Sequence, residues 1–199
     1  MRIIAGSAKG RSLVAPDGQT TRPTSGRVRE AVFNSLFSLG GVDGLTVVDL
    51  FAGTGAYGLE ALSRGASHAT FVERDRLALD ALRDNIDALG FEAEATVVAG
   101  DAQRWGGGRS AADPFDLAFC DPPYDFEDWP ALLEVVPASQ CVAESRREIE
   151  VPALWSVLRT RRYASTLVTL LERFDAPDTS STSAKTPNVL LGDTTSSNQ

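Results

Sequence analysis

From Gly44 to Ala143 the chain repeats one pattern: a short apolar run, a loop containing glycine or proline, then a segment with helical spacing. The runs are Thr46 to Phe51, His68 to Glu73, Ala95 to Ala99, Phe115 to Cys120 and Gln140 to Ala143. Between them the spacing predicts a helix ending at Arg64 and closed by Gly65, and an amphipathic helix over 75–89 closed by Gly90. Strands joined through helices cannot pair as hairpins. They form a parallel sheet with helices on both faces, which makes the chain an α/β protein.

With 199 residues, 43% hydrophobic and 23% charged, the chain has enough apolar material for one domain with a substantial core. No apolar stretch approaches the roughly 20 residues that span a bilayer, and residues 1–6 contain no segment of signal-peptide type. The expected location is the cytoplasm, with no membrane partner. Cys120 and Cys141 have neither metal-ligand spacing nor a disulfide framework, and are expected as reduced core residues.

The net charge of −8 is unevenly spread. Residues 1–40 hold Arg2, Lys9, Arg11, Arg22, Arg27 and Arg29 against only Asp17 and Glu30. A basic arm on an acidic body suits a local phosphate-binding surface, because counterion release depends on the contact patch. Residues 1–16 alternate around Gly6-Ser7-Ala8-Lys9-Gly10 and read as a β-hairpin arm. A polar loop through Arg22-Pro23-Thr24 follows, then a helix from about Arg27 to Leu39. That boundary puts Arg27 and Arg29 in a first turn, where the helix dipole disfavours cations.

A short helix is expected over 129–136 and a closing antiparallel pair over 156–162 and 165–171. Gly106 to Arg109 reads as a loop before the fourth strand. Residues 175–199 are rich in Ser and Thr, lack aromatics and are expected as a disordered tail or appended extension. The domain division is 1–40 for the basic hairpin and helix, 41–174 for the α/β domain and 175–199 for the tail.

Gly53-Thr54-Gly55-Ala56-Tyr57-Gly58 fits the dinucleotide fingerprint G-x-G-x-x-G, and Glu73 stands twenty residues after Gly53, where a ribose-binding carboxylate belongs. A dehydrogenase is one reading. Asp49, four residues before Gly53, would be unwelcome beside a pyrophosphate but would suit the ammonium of S-adenosylmethionine, as charge partner or as the group that orients the loop. Asp101, with the Ala102 backbone, could receive the adenine amine. Asp49, Glu73, Asp101 and Asp121 then close four successive strands on one sheet edge.

Asp121-Pro122-Pro123-Tyr124 follows the fourth strand. Each proline restricts the residue before it to extended backbone, so the corner is stiff. It resembles the signature of amino-group methyltransferases that use S-adenosylmethionine. The carboxylate of Asp121 and the carbonyl of Pro122 could accept hydrogen bonds from an exocyclic amine and aim its lone pair. Tyr124 could stack on the base. A base must leave its stack to reach such a corner, so a flipped or loop nucleotide is the expected substrate.

A more specific resemblance rests on Arg2-Ile3-Ile4-Ala5-Gly6, Lys9-Gly10-Arg11, Arg22-Pro23-Thr24, Arg27-Val28-Arg29-Glu30, Phe33-Asn34, Asp49 to Gly55, Gly58 to Ala66 and Asp121 to Tyr124. Over about residues 1–173 the chain resembles the bacterial 16S ribosomal RNA guanine-N2 methyltransferases of the RsmD type. The resemblance implies a Rossmann-like class I methyltransferase fold, with a seven-stranded mostly parallel sheet, helices on both faces and an N-terminal β-hairpin arm. It implies methylation of one guanine amine in the helix-31 loop of 16S rRNA, within the small ribosomal subunit, by a monomer. The implied site has Asp121, Pro122, Pro123 and Tyr124 at the reaction centre. Asp49, Phe51, Ala52, Gly53, Thr54, Gly55, Glu73, Arg74, Asp101 and Ala102 would surround S-adenosyl-L-methionine, and Lys9, Arg11, Arg22, Arg27 and Arg29 would meet RNA, with no metal. Three positions depart from the family pattern: Tyr57 where Leu is usual, Cys120 where Leu is common, and Ala164 where Gly is usual. An adenine acceptor in RNA or DNA and a non-catalytic nucleic-acid-binding protein stay open at this point.

Overall fold

The computed structural model describes residues 1–16, 23–108 and 114–174. One sheet holds seven strands: β1 (Thr46–Leu50), β2 (His68–Glu73), β3 (Ala95–Ala99), β4 (Phe115–Cys120), β5 (Ala138–Ser145), β6 (Trp155–Tyr163) and β7 (Thr166–Arg173). Their order across the sheet is β3-β2-β1-β4-β5-β7-β6. β1 to β5 pair in parallel, while β7 runs antiparallel to β5 and to β6. The expected mostly parallel sheet with a closing antiparallel pair is present. Strand order reverses between β1 and β4, so the loops leaving their carboxyl ends diverge and open a crevice between them.

The helices are α1 (Pro23–Phe37), α2 (Ala56–Ser63), α3 (Arg76–Leu89), α4 (Ala102–Gly107) and α5 (Trp129–Val135). One sheet face, with Val47, Phe71, Phe119 and Val142, packs against Val32 of α1, Leu59 of α2 and Leu82 of α3. The other, with Val48, Leu50, Val72 and Cys120, packs against Ala102 of α4 and Leu132 and Leu133 of α5. Alternation therefore sends Val47 and Asp49 of β1 to one layer and Val48 and Leu50 to the other, all of them buried. Each buried Val or Leu contributes roughly 1.5–3 kcal/mol, which fixes the central strand and the loop it carries. Cys120 and Cys141 are free and buried, as expected.

The N-terminal hairpin is a short one and does not project. It has a single antiparallel bridge, Arg2 to Ser12, and Ile3, Ala8 and Leu13 are buried in the same cluster as the sheet. Its backbone is tied to α2. The Ile4 and Ala5 amides donate to the two carboxylate oxygens of Glu60 at 2.7 and 3.0 Å. Gly6 has φ 85°, and a Cβ there would stand 1.6 Å from the Ser63 carbonyl oxygen, so no larger residue fits without separating the two segments.

Helix α1 begins at Pro23, four residues before the expected start at Arg27. The Pro-Thr-Ser stretch read as loop is its first turn, since the fixed φ of proline suits the opening position of a helix. Arg27 consequently lies in the second turn, and both Arg27 and Arg29 are past the turn where the helix dipole disfavours cations. Helix α4 was not anticipated from the spacing: Asp101 caps it by accepting from the Arg104 amide at 3.1 Å, and Gly106-Gly107 ends it. Strand β5 is two residues longer at each end than the run Gln140 to Ala143 suggests. Arg22, Arg109 and the expected tail 175–199 lie outside the described residues. Among the described residues no helix is long and apolar enough to cross a membrane.

Candidate active site

The acidic residues singled out from sequence do converge on one edge. In spatial order they are Asp101 after β3, Glu73 ending β2, Asp49 near the end of β1 and Asp121 after β4. A fifth, Glu144 near the end of β5, continues the row. Sequence reasoning missed it although the same signal, a carboxylate where a strand ends, was present; the apolar run stops at Ala143.

The glycine loop is held from three sides. The Glu73 carboxylate accepts from the Gly53 amide at 2.8 Å through one oxygen and from the Arg74 and Asp75 amides at 2.7 Å through the other. Of about four acceptor positions on a carboxylate, one then remains for a ligand, fewer than the two that accepting both ribose hydroxyls would use. Asp49 is 2% exposed and accepts from the Gly58 amide at 2.9 Å. Burial pushes its carboxyl well above the ordinary carboxylate range, and Asp121 and Glu73 add to the rise while the Gly58 hydrogen bond opposes it. The geometry gives Asp49 the loop-orienting role at the start of α2. Asn85 of α3 makes the third tie, donating to the Thr54 carbonyl at 3.1 Å and to the Val14 carbonyl at 3.0 Å. It also went unnoticed in the sequence, where it reads as one more polar residue on an amphipathic helix.

Two clefts meet at this loop. One is lined by Phe51, Glu73, Arg74, Ala102, Asp121 and Pro122, the other by Asp49, Phe51, Gly53, Thr54, Asp121 and Glu144. Phe51 and Asp121 belong to both. Phe51 has φ 62°, an unusual backbone for a bulky side chain, and its ring meets Phe126 edge-on at 5.7 Å. Gly53 has φ 54°, and a Cβ built there meets no atom within 4 Å, so the space beside the loop is open to a ligand. Asp101 caps α4 and also lies 3.4 Å from the exposed Arg74 guanidinium.

Behind Asp121 a third concavity includes Pro122, Pro123, Tyr124, Glu144 and Arg146. Pro122 is buried, while Asp121, Pro123 and Tyr124 are exposed. The Arg146 guanidinium sits 4.0 Å above the Tyr124 ring centroid. The Tyr57 hydroxyl donates to the Glu144 carboxylate, and the Tyr57 ring stacks on Phe119 of β4 at 5.0 Å. Burial pushes the Glu144 carboxyl up to about 7, with the Arg29 charge acting against it.

The basic residues divide. Lys9, Arg11 and Arg27 are exposed, with Arg11 donating to the Ala88 carbonyl at the end of α3. Arg29 is 2% exposed: it donates to the Arg2 carbonyl and lies 3.7 Å from Glu60. Its guanidinium is a core group beside Asp49 and Glu144, not part of an exposed basic arm, and burial lowers its pKa. Among the described residues no cluster could hold a metal ion.

The family described as "Conserved hypothetical protein 95" matches residues 1–172. "Putative rRNA methyltransferase YlbH" of Bacillus subtilis is 41% identical over 160 residues, 76% of this chain and 86% of the relative. "Ribosomal RNA small subunit methyltransferase D" of Escherichia coli is 37% identical over 171 residues, 81% of this chain and 84% of the relative. A solved structure, "Putative methyltransferase yhhF from Escherichia coli", superposes with a TM-score of 0.76 at 33% identity, covering 87% of this chain and 97% of that one. A match running from the N-terminal segment tied to α2 through the last strand covers the whole described architecture, and the chain belongs to this family, the RsmD type.

Proposed function

We propose that this protein is an S-adenosylmethionine-dependent methyltransferase acting on the exocyclic N2 amine of a guanine in 16S ribosomal RNA, in the helix-31 loop of the small ribosomal subunit. The observation that carries the reading is the position of Asp121, which lines both clefts beside the glycine loop and the concavity of the proline corner. A group held in the clefts and a group held by the corner would meet at that carboxylate. The names of the relatives, which specify rRNA and the small subunit, support the choice of acceptor.

The residues present fit this methyl donor. Carboxylates at Asp49, Glu73 and Asp101 suit hydroxyls, an amine and an ammonium, and the open space beside Gly53 allows close backbone approach. A carboxylate at Asp49 would be unwelcome beside a pyrophosphate, which disfavours a dinucleotide. Glu73, Arg74, Asp101, Ala102, Asp49, Phe51, Ala52, Gly53, Thr54 and Gly55 are the residues that would hold it. S-adenosylmethionine supplies an activated methyl group on a positively charged sulfur whose departure leaves a neutral thioether.

Little acid-base chemistry is then required of the protein; positioning is. The lone pair of a guanine amine is delocalised into the ring. Hydrogen bonds from its two N–H groups to the Asp121 carboxylate and the Pro122 carbonyl favour a pyramidal nitrogen and aim the lone pair. Asp121 stabilises the positive charge that develops on nitrogen and takes the released proton. Tyr124 stacks on the base, with the Arg146 guanidinium bringing positive charge to the same ring. Lys9, Arg11 and Arg27 contact phosphates, and Arg22 belongs with them by sequence.

A labelled-methyl assay tests this reading, with small subunits, naked 16S rRNA and DNA as acceptors and mapping of the modified base. Transfer to one guanine amine of the small subunit is expected. Transfer only to adenine, or only to DNA, would replace the reading, and no transfer with intact donor binding would favour a non-catalytic RNA-binding protein.

A further inference from the structure

Glu144 has no part in the chemistry described above, yet it stands next to its centre. Cys120 and Ala143 are Cα partners of adjacent parallel strands, so Asp121 and Glu144 are the following residues on chains about 4.8 Å apart. Alternation directs both to the face of Phe119 and Val142, and they share two of the concavities. The Tyr57 hydroxyl holds the Glu144 carboxylate from α2.

The bases with an exocyclic amine differ at the ring atom beside it. Guanine has N1–H, a donor, next to its 2-amine. Adenine has N1 and cytosine N3, both acceptors, next to theirs. We propose that Glu144 determines base choice: its carboxylate accepts from the guanine N1–H while Asp121 and Pro122 hold the 2-amine, and it repels the ring lone pair that adenine or cytosine would present there. This rests on the amine-methylation reading above and names the residue that gives that reading its base.

The charge state of Glu144 follows from its surroundings. It faces Arg29 from α1, Tyr57 from α2, Asp49 from β1, Asp121 after β4, and Arg146 and Arg147 beyond β5. Burial raises its carboxyl to about 7 against the pull of Arg29. The ionised form is the acceptor that guanine needs, whereas the protonated form could donate to an adenine or cytosine ring nitrogen. Preference for guanine therefore rises with pH through about 7.

The test uses small subunits reconstituted with ligated 16S rRNA that carries guanine or 2-aminopurine at the mapped acceptor. 2-Aminopurine keeps the 2-amine but presents an acceptor at N1. In single-turnover assays the wild-type chain should lose about 10- to 100-fold in rate on 2-aminopurine. Glu144→Ala should lose a similar factor on guanine and little more on 2-aminopurine, because the two changes remove the same hydrogen bond. Glu144→Gln, whose amide can accept from guanine or donate to 2-aminopurine, should relax the guanine preference and lose its pH dependence. Equal wild-type rates on the two bases, or independent losses in the variant, would overturn the assignment of Glu144 and leave the methyltransferase reading standing. No transfer to guanine by the wild-type chain would overturn both, and the wild-type comparison stands even if Glu144→Ala fails to fold.

Discussion

The Glu73 carboxylate accepts the Gly53 amide at 2.8 Å, so the end of β2 holds the loop that leaves β1. One side chain thus shapes the loop and faces the cleft. Glu73→Ala should weaken S-adenosylmethionine binding by about 10- to 100-fold and cost about 1–3 kcal/mol of stability, because three backbone amides lose their acceptor. Calorimetric titration and thermal melting measure the two effects. An unchanged dissociation constant would remove Glu73 from the donor site.

Asp121→Ala should lower single-turnover methyl transfer by at least about 10²-fold while the donor still binds. The residue is exposed and follows the strand, so its loss leaves the core untouched. Turnover within a few-fold of wild type would rule out the carboxylate as amine acceptor.

Glu144→Gln should stabilise the protein at alkaline pH. The folded-state carboxyl lies at about 7, above its ordinary value of 4.5, so the folded protein binds the extra proton between those two values. Stability of the wild-type chain contributed by this group is present below about 4.5 and is lost as pH rises to about 7. The advantage of the variant should reach about 1–3 kcal/mol at pH 8 and vanish below about pH 4. Melting curves across that range decide it, and a pH-independent difference would mean that the group is not buried with its charge.

Lys9→Ala combined with Arg27→Ala should make the salt dependence of RNA binding shallower by about one unit for each phosphate no longer neutralised, with stability unchanged. Arg29→Ala should instead cost about 3–5 kcal/mol, since it removes a buried cation from beside Glu60, whose remaining ion pair is with Arg64. Filter binding at several salt concentrations, alongside denaturant unfolding, separates the two kinds of arginine. If Arg29→Ala folds normally and changes only the salt slope, its assignment to the core is wrong.

Ala164→Gly should stabilise the closing hairpin by about 0.5–1 kcal/mol. Ala164 has φ 53° between β6 and β7, a conformation that costs an alanine about 1–2 kcal/mol, partly offset by the greater freedom of glycine in the unfolded chain. Urea unfolding midpoints provide the comparison, and a lower midpoint for the glycine variant would show that the turn is not strained.

Much of this architecture was legible because its signals are local. Val47-Val48, Phe71-Val72 and Leu117 to Cys120 are apolar on both faces, and only central parallel strands tolerate that. Asp121-Pro122-Pro123-Tyr124 marked its own corner through proline stereochemistry. What was not legible depends on groups distant in sequence. Arg29 looks like any surface arginine until Glu60, thirty-one positions later, is folded against it. Glu144 lies one residue beyond the end of the apolar run, among charges that suggest solvent. The helix start was misplaced because Arg-Pro-Thr reads equally well as a loop.

The ties between the N-terminal segment and Glu60 also set an order of events. During synthesis the residues up to Leu13 leave the ribosome before α2 does, yet the groups that receive Ile4, Ala5 and Ala8 belong to Glu60 and Ser63. That stretch of the chain must therefore wait, unsecured, for a helix translated some fifty residues later, and the surface that carries Lys9 and Arg11 comes into being only when that helix arrives.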